Sequence, residues 1–168
     1  LGLTTHRLDI YDEQLAKTQF LDQFETLFHA NKSDTSSLSK LPTAFDYIRL
    51  GHPLSCVLEW GIAKLNSLNS ENVISFSSNT IPVLAILRKN LLDNKRTQIA
   101  YTGELPDFFD AGLLQRVYGY NFKLNKVENI EDITEFEGST VYISQQDEIG
   151  DFGLPENIDF FIRVHSYL

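Results

Sequence analysis

Methionine is absent from this 168-residue chain, the first position included, and cysteine and tryptophan occur once each. A chain without an initiating Met is expected to start at a trimmed or processed end or to have its start left out, which favours a fragment. A single cysteine, Cys56, excludes an internal disulfide and any Cys-based metal centre. It also favours a reducing, cytoplasmic compartment. Positive charge is scarce: 14 Lys and Arg stand against 23 Asp and Glu, a net charge of −9. That balance disfavours nucleic acid or an anionic membrane as the main partner, since both require a basic face. No apolar run approaches the roughly 20 residues of a membrane-spanning helix, and no signal-peptide pattern is present. The four histidines are scattered without metal-ligand spacing.

What is there reads as a globular protein: 42% hydrophobic and 22% charged residues, enough to build a sizeable core. Leu15, Phe20, Leu21, Phe24, Leu27 and Phe28 recur at helical spacing, predicting a helix over 11–30. The polar, Ser-rich stretch 31–40 reads as a linker. Residues 1–40 are therefore expected to form a helical arm and linker, and residues 41–168 an α/β region that is incomplete at its C-terminal end.

Within 41–168, Ser55 is expected to cap a helix running to about Leu68, with Cys56 as a small buried residue on it. Val73-Ile74-Ser75-Phe76 reads as a short strand. Thr80 then opens a helix with Pro82 in its first turn, where a missing N–H costs little. Strands are expected at 98–101, 121–124 and 140–143. Helices are expected at 107–118, stopped by Gly119, at 130–136, and at 155–168. This alternation predicts a mainly parallel sheet with helices on both faces.

Such sheets bind ligands beyond the carboxyl ends of their strands. The turn Ser78-Asn79-Thr80 at the head of a helix would place backbone N–H groups toward an anion. The same residues also read as an ordinary helix cap. Tyr47 and Arg49, two apart on an extended segment, pair a hydroxyl with a planar guanidinium, a combination suited to phosphate. Arg49 also reads as a surface side chain whose stem packs on an aromatic ring. Asp147, Glu148 and Asp151 form an acidic loop that reads as solvated or as a weak cation site.

Tyr47-x-Arg49-x-Gly51-His52-Pro53, followed by Leu58-Glu59 and Phe76-Ser77-Ser78, resembles a run of motifs in the pyridoxal-phosphate enzymes of Cys/Met metabolism. These fold-type-I enzymes include cystathionine γ-synthase, cystathionine γ-lyase and their relatives. The matched motifs are Tyr-x-Arg-x-Gly-Asn-Pro, Leu-Glu and the Phe-Ser-Ser-Gly phosphate turn. The strand at 140–143 is similar to the one that precedes that family's Glu-Ser-Pro-x-Asn-Pro loop, and the likeness is collinear from about Phe45 onward.

The resemblance implies a cytoplasmic homodimer or tetramer and a lyase or transferase acting on a small amino acid. It further implies that Ser78, Asn79 and Thr80 hold the phosphate of pyridoxal phosphate within one subunit. Tyr47 and Arg49 would reach the cofactor of the neighbouring subunit, and Tyr101 is the nearest candidate to stack on its ring, with Phe108 the other.

The departures are specific. Asn79 replaces the family's Gly, and Ser144 to Glu148 replaces its Glu-Ser-Pro-x-Asn loop. The Asp that pairs with the pyridine nitrogen and the Schiff-base Lys are expected beyond Leu168. Val164-His165-Ser166 resembles the Val-His-Ser before that Lys, but no Lys follows. The chain alone is therefore not expected to catalyse. A catalytically degenerate relative, serving as a dimerisation or protein-interaction module, and an unrelated α/β binding domain are the other readings of the same residues.

Overall fold

The structure, a computed structural model, describes residues 13–42, 52–145 and 153–164. The chain divides into two compact units, Leu1–Ser75 and Phe76–Leu168.

In the first unit, helix α1 (Glu13–His29) buries Phe20 and Leu21 against Cys56 of helix α3 (Pro53–Leu65). The rings of Phe24 and Phe28 meet Trp60 edge-on at 5.4 and 5.2 Å. At the rim of this contact, Lys64 Nζ lies 2.5 Å from Glu25, and that hydrogen bond holds the Glu25 carboxyl below its ordinary pKa. Between these helices lies a single turn, α2 (Thr35–Leu38). Asp34 caps it by accepting from the Ser37 amide and from the Ser36 and Ser37 hydroxyls, which lower its pKa to about 2.

Helix α3 begins two residues before the expected cap at Ser55. His52 caps it instead, its Nδ1 accepting from the Leu54 amide at 3.1 Å, and Pro53 takes the first helical position, where no N–H is needed. Cys56 is buried, as expected.

The expected strand at 73–76 does not form. A 3₁₀ turn (Ser70–Asn72) leads into an unpaired extended segment with Ile74 67% exposed. The reason is a competing partner: the buried Glu59 carboxylate accepts from the Ser75 amide at 2.8 Å and its hydroxyl at 2.9 Å. An N–H bound to a side chain is lost to a strand ladder. Glu59→Ala should cost about 1–3 kcal/mol by leaving the Ser75 donors without this acceptor, and Glu59→Gln, which keeps one oxygen acceptor, should cost less. Urea unfolding followed by the fluorescence of Trp60 measures both. Coincident curves for Glu59→Ala and the parent would show that the tie contributes nothing.

The second unit is an α/β layer structure. Its four-stranded, all-parallel sheet has the order β2-β1-β3-β4, formed by β1 (Thr97–Tyr101), β2 (Phe122–Lys126), β3 (Ser139–Gln145) and β4 (Phe160–Val164). Helix α4 (Ile81–Leu92) opens as expected with Pro82 in its first turn. Val83 and Leu87 of α4, with Leu114 of helix α5 (Ala111–Arg116), cover Ile99, Phe122, Val141, Ile143 and Ile162 on one face. The opposite face buries Ala100, Tyr142 and Ile133 under a 3₁₀ turn (Ile130–Asp132) and Ile158.

Three expected helices change. Of the helix expected at 155–168, residues 165–168 lie outside the described residues and the described part, 155–164, does not form one: Phe160–Val164 is strand β4. Its apolar residues alternate between the two faces, Phe160, Ile162 and Val164 toward α4 and Phe161 toward Tyr142. A run that is apolar on both faces mimics helical spacing over so short a stretch. The helix expected at 130–136 stops after one 3₁₀ turn, closed by the reciprocal Asn129–Asp132 capping box, and Ile133 then turns extended to enter the core. The helix expected from Asp107 starts at Ala111, because Asp110 is the cap, accepting from the Leu113 amide at 2.9 Å. Gly119 follows with φ +71°, the left-handed stop that its position suggested.

Candidate functional site at the carboxyl edge of the sheet

Helix α4 is joined to β1 by the short link Asp93–Arg96 and packs along it through Val83 and Leu87. It therefore runs antiparallel to the strand, and its N-terminus stands at the sheet's carboxyl edge. Ser78, Asn79 and Thr80 lie at that N-terminus. Ser78 Oγ is 3.2 Å from Thr80 Oγ1 and accepts long hydrogen bonds from the amides of Thr80 (3.3 Å) and Ile81 (3.4 Å). Pro82 offers no N–H. The cap reading thus accounts for two of the first amides, while the Ser78 and Thr80 hydroxyls remain close together at the helix start. Asn79, which stands where the resembling family has Gly, does not adopt a positive φ, so the replacement imposes no left-handed strain here.

Tyr101 is the last paired residue of β1, half-buried, with its ring packed on the α4-side core together with Phe108. The structure therefore brings Ser78, Asn79, Thr80 and Tyr101 to one edge of the second unit. Tyr47, Arg49 and Gly51 lie outside the described residues, as do the acidic loop Asp147, Glu148 and Asp151 and the His165-Ser166 pair. His52, within the resembling motif, serves as the cap of α3.

Other polar groups at this edge went unassigned in the sequence. Thr102 Oγ1 and Tyr142 Oη are 3.1 Å apart. Glu104 spans the edge: its carboxylate pairs with Lys126 of β2 at 2.5 Å, and its carbonyl accepts from Gln145 Nε2 of β3 at 3.1 Å. For Thr102, Glu104, Lys126 and Gln145 the only signal was position, because each ends or follows a strand; Tyr142, in the middle of β3, carried none.

The hydrogen bond to Glu104 raises the pKa of Lys126, which favours its ammonium over the free amine that Schiff-base formation requires. Hydroxyls at a helix start are groups that can donate to a phosphate.

The opposite, amino edge carries a cleft of about 490 Å³ lined by Glu135, Glu137, Glu156 and Asp159. Its charge has the wrong sign for a phosphate. Among the described residues, no group of three or more His, Cys, Asp or Glu is placed to hold a metal. No helix among them is long and apolar enough to cross a membrane. No protein-family profile, curated protein or solved structure matches this chain.

Proposed function

We propose that this chain is the N-terminal portion of a pyridoxal-phosphate-dependent lyase or transferase of the Cys/Met-metabolism kind. In this reading Ser78, Asn79 and Thr80 receive the cofactor's phosphate and Tyr101 flanks its ring. One observation carries the proposal: the Ser-Ser-Asn-Thr turn heads a twelve-residue helix at the carboxyl edge of an all-parallel sheet. Ligands of such sheets bind at that edge, and helix N-termini favour phosphate.

Tyr47 and Arg49 of a second copy would complete the phosphate clamp, which makes the working unit a cytoplasmic homodimer or tetramer. Bound pyridoxal phosphate supplies a reactive aldehyde and an electron-withdrawing ring. The described residues bind and orient it, and turnover on a small amino acid requires a Lys that they do not provide.

Phosphorus NMR of pyridoxal phosphate titrated with the full chain tests this reading. A saturable shift is expected, with affinity about tenfold weaker, or ~1.4 kcal/mol, when Ser78 and Thr80 are both replaced by Ala. Equal affinity in the double variant would overturn it.

A second reading, a catalytically degenerate relative acting as a dimerisation or protein-interaction module, is favoured by the altered loops: Asn79 stands where the resembling family has Gly, and Gln145 to Glu148 replaces part of its Glu-Ser-Pro-x-Asn loop. An absorbance band of a Schiff base, formed on adding cofactor and removed by borohydride, would exclude the degenerate reading.

A further inference from the structure

A second polar group stands at the carboxyl edge on the face turned away from α4, and it does not rest on the phosphate turn. Side chains alternate along a strand. On β1, Ile99 and Tyr101 pack toward α4 and Ala100 packs away; on β3, Ile143 packs toward α4 and Tyr142 away; on β4, Ile162 packs toward α4 and Phe161 away. The next residue on the far face is Thr102 after β1, Ser144 on β3 and Arg163 on β4. Ser144 pairs directly with Arg163, and Thr102 follows the last β1–β3 pair, Tyr101 with Ile143. The bond between Thr102 Oγ1 and Tyr142 Oη places the threonine hydroxyl on this face independently. Thr102, Ser144 and Arg163 thus occupy one row of positions across three adjacent strands spaced by about 4.8 Å.

The row also sits where an open sheet gathers ligands. From the strand order, the chain leaves β1 toward β2 and leaves β3 toward β4, in opposite directions. The crevice between β1 and β3 is the topological switch point, and Thr102 and Ser144 flank it. Beneath the row, the rings of Tyr142 and Phe161 stack at 5.5 Å with 12° between their planes, a rigid floor. Ser144 is 2% exposed and Arg163 is half-buried, so a charge at this level is partly shielded from water. Arg163 already has a partner, but a guanidinium carries several N–H donors in a fixed fork and serves more than one acceptor. The carboxylate of Glu104 is drawn to Lys126 on the β2 side, away from the β3–β4 end of the row.

We propose that Thr102, Ser144 and Arg163 form a binding site for a small oxyanion, a carboxylate or a phosphate, with the guanidinium supplying the charge and the two hydroxyls fixing its orientation. The test is NMR titration of the isotope-labelled full chain with sodium phosphate and, separately, with sodium acetate at constant ionic strength. Saturable shifts of the Thr102 and Ser144 amides are expected with at least one of the two, and the responding anion identifies the ligand class. Arg163→Gln should weaken binding at least tenfold, Arg163→Lys less, and Thr102→Val, which removes no charge, several-fold. If Arg163→Gln fails to fold, Thr102→Val decides. Shifts confined to Ser78–Ile81 would support the phosphate turn and overturn this site. Unchanged affinity in the variants, or no saturable shift with either anion, would overturn it as well.

Discussion

Ile99→Ala is expected to destabilise the second unit by about 2–5 kcal/mol, a large share of the stability of a domain this size. Ile99 lies at the middle of β1, a strand paired on both sides, and is 1% exposed. It belongs to the core cluster of Val83 and Leu87 from α4, Leu114 from α5, and Val141 and Ile143 from β3. Removing its outer carbons leaves a cavity that elements from both sides of the strand must collapse to fill. Ile99→Val removes a single methyl group and should cost about 0.5–1.5 kcal/mol. Trp60 belongs to the other unit, so its fluorescence is the wrong probe. Native-state hydrogen exchange of the β1 and β3 amides reads the effect directly. A loss below that of Ile99→Val would mean that the core repacks around the gap.

Gly138→Ala should cost about 3 kcal/mol, the upper end for overpacking, because the obstacle is backbone. A Cβ at Gly138 would fall on the carbonyl oxygen of Arg96 and within 2.7 Å of the Phe136 ring. That same carbonyl accepts from the Ser139 amide at 2.8 Å, the contact that brings β3 in beside the start of β1. The methyl group therefore cannot be accommodated without drawing the two strands apart at their amino ends. The expected signature is accelerated exchange of the amides at 97–99 and 139–141. Exchange rates equal to those of the parent would show that the Arg96–Gly138 approach is not tight in solution.

The sequence disclosed the helices wherever one apolar stripe met a distinct start signal. Helix α4 has both, Pro82 at its head and Val83 and Leu87 on its inner side, and its start was legible. Strands β1, β2 and β3 were legible as short segments between turn residues, β3 as a nearly all-apolar run. Strand β4 was not, because Ile158, Phe161 and Ile162 lie at helical spacing while Phe160, Ile162 and Val164 lie at strand spacing, and only the neighbouring β3 decides between them. The strand expected at Val73–Phe76 failed for a reason no local pattern carries: Glu59, sixteen residues away in the chain, takes the Ser75 amide.

The places of Ser78, Asn79 and Thr80 at a helix start and of Tyr101 at a strand end were legible, because turn and apolar signals mark both. The Thr102–Tyr142 contact and the Thr102–Ser144–Arg163 row were not. They depend on strand register, which joins residues far apart in sequence.

The two rims of the sheet differ as surfaces for accretion. β2 borders one rim and exposes Lys123 and Lys126 along it, charges that discourage another strand from docking. β4 borders the other, where Phe160, Phe161 and Ile162 are partly or fully covered and, among the described residues, β3 is its one strand partner. Any lateral extension of this sheet is therefore steered to a single side. Stripping the cover from Phe160–Val164 would leave that rim, and not the lysine-guarded one, as the starting point for stacking between molecules.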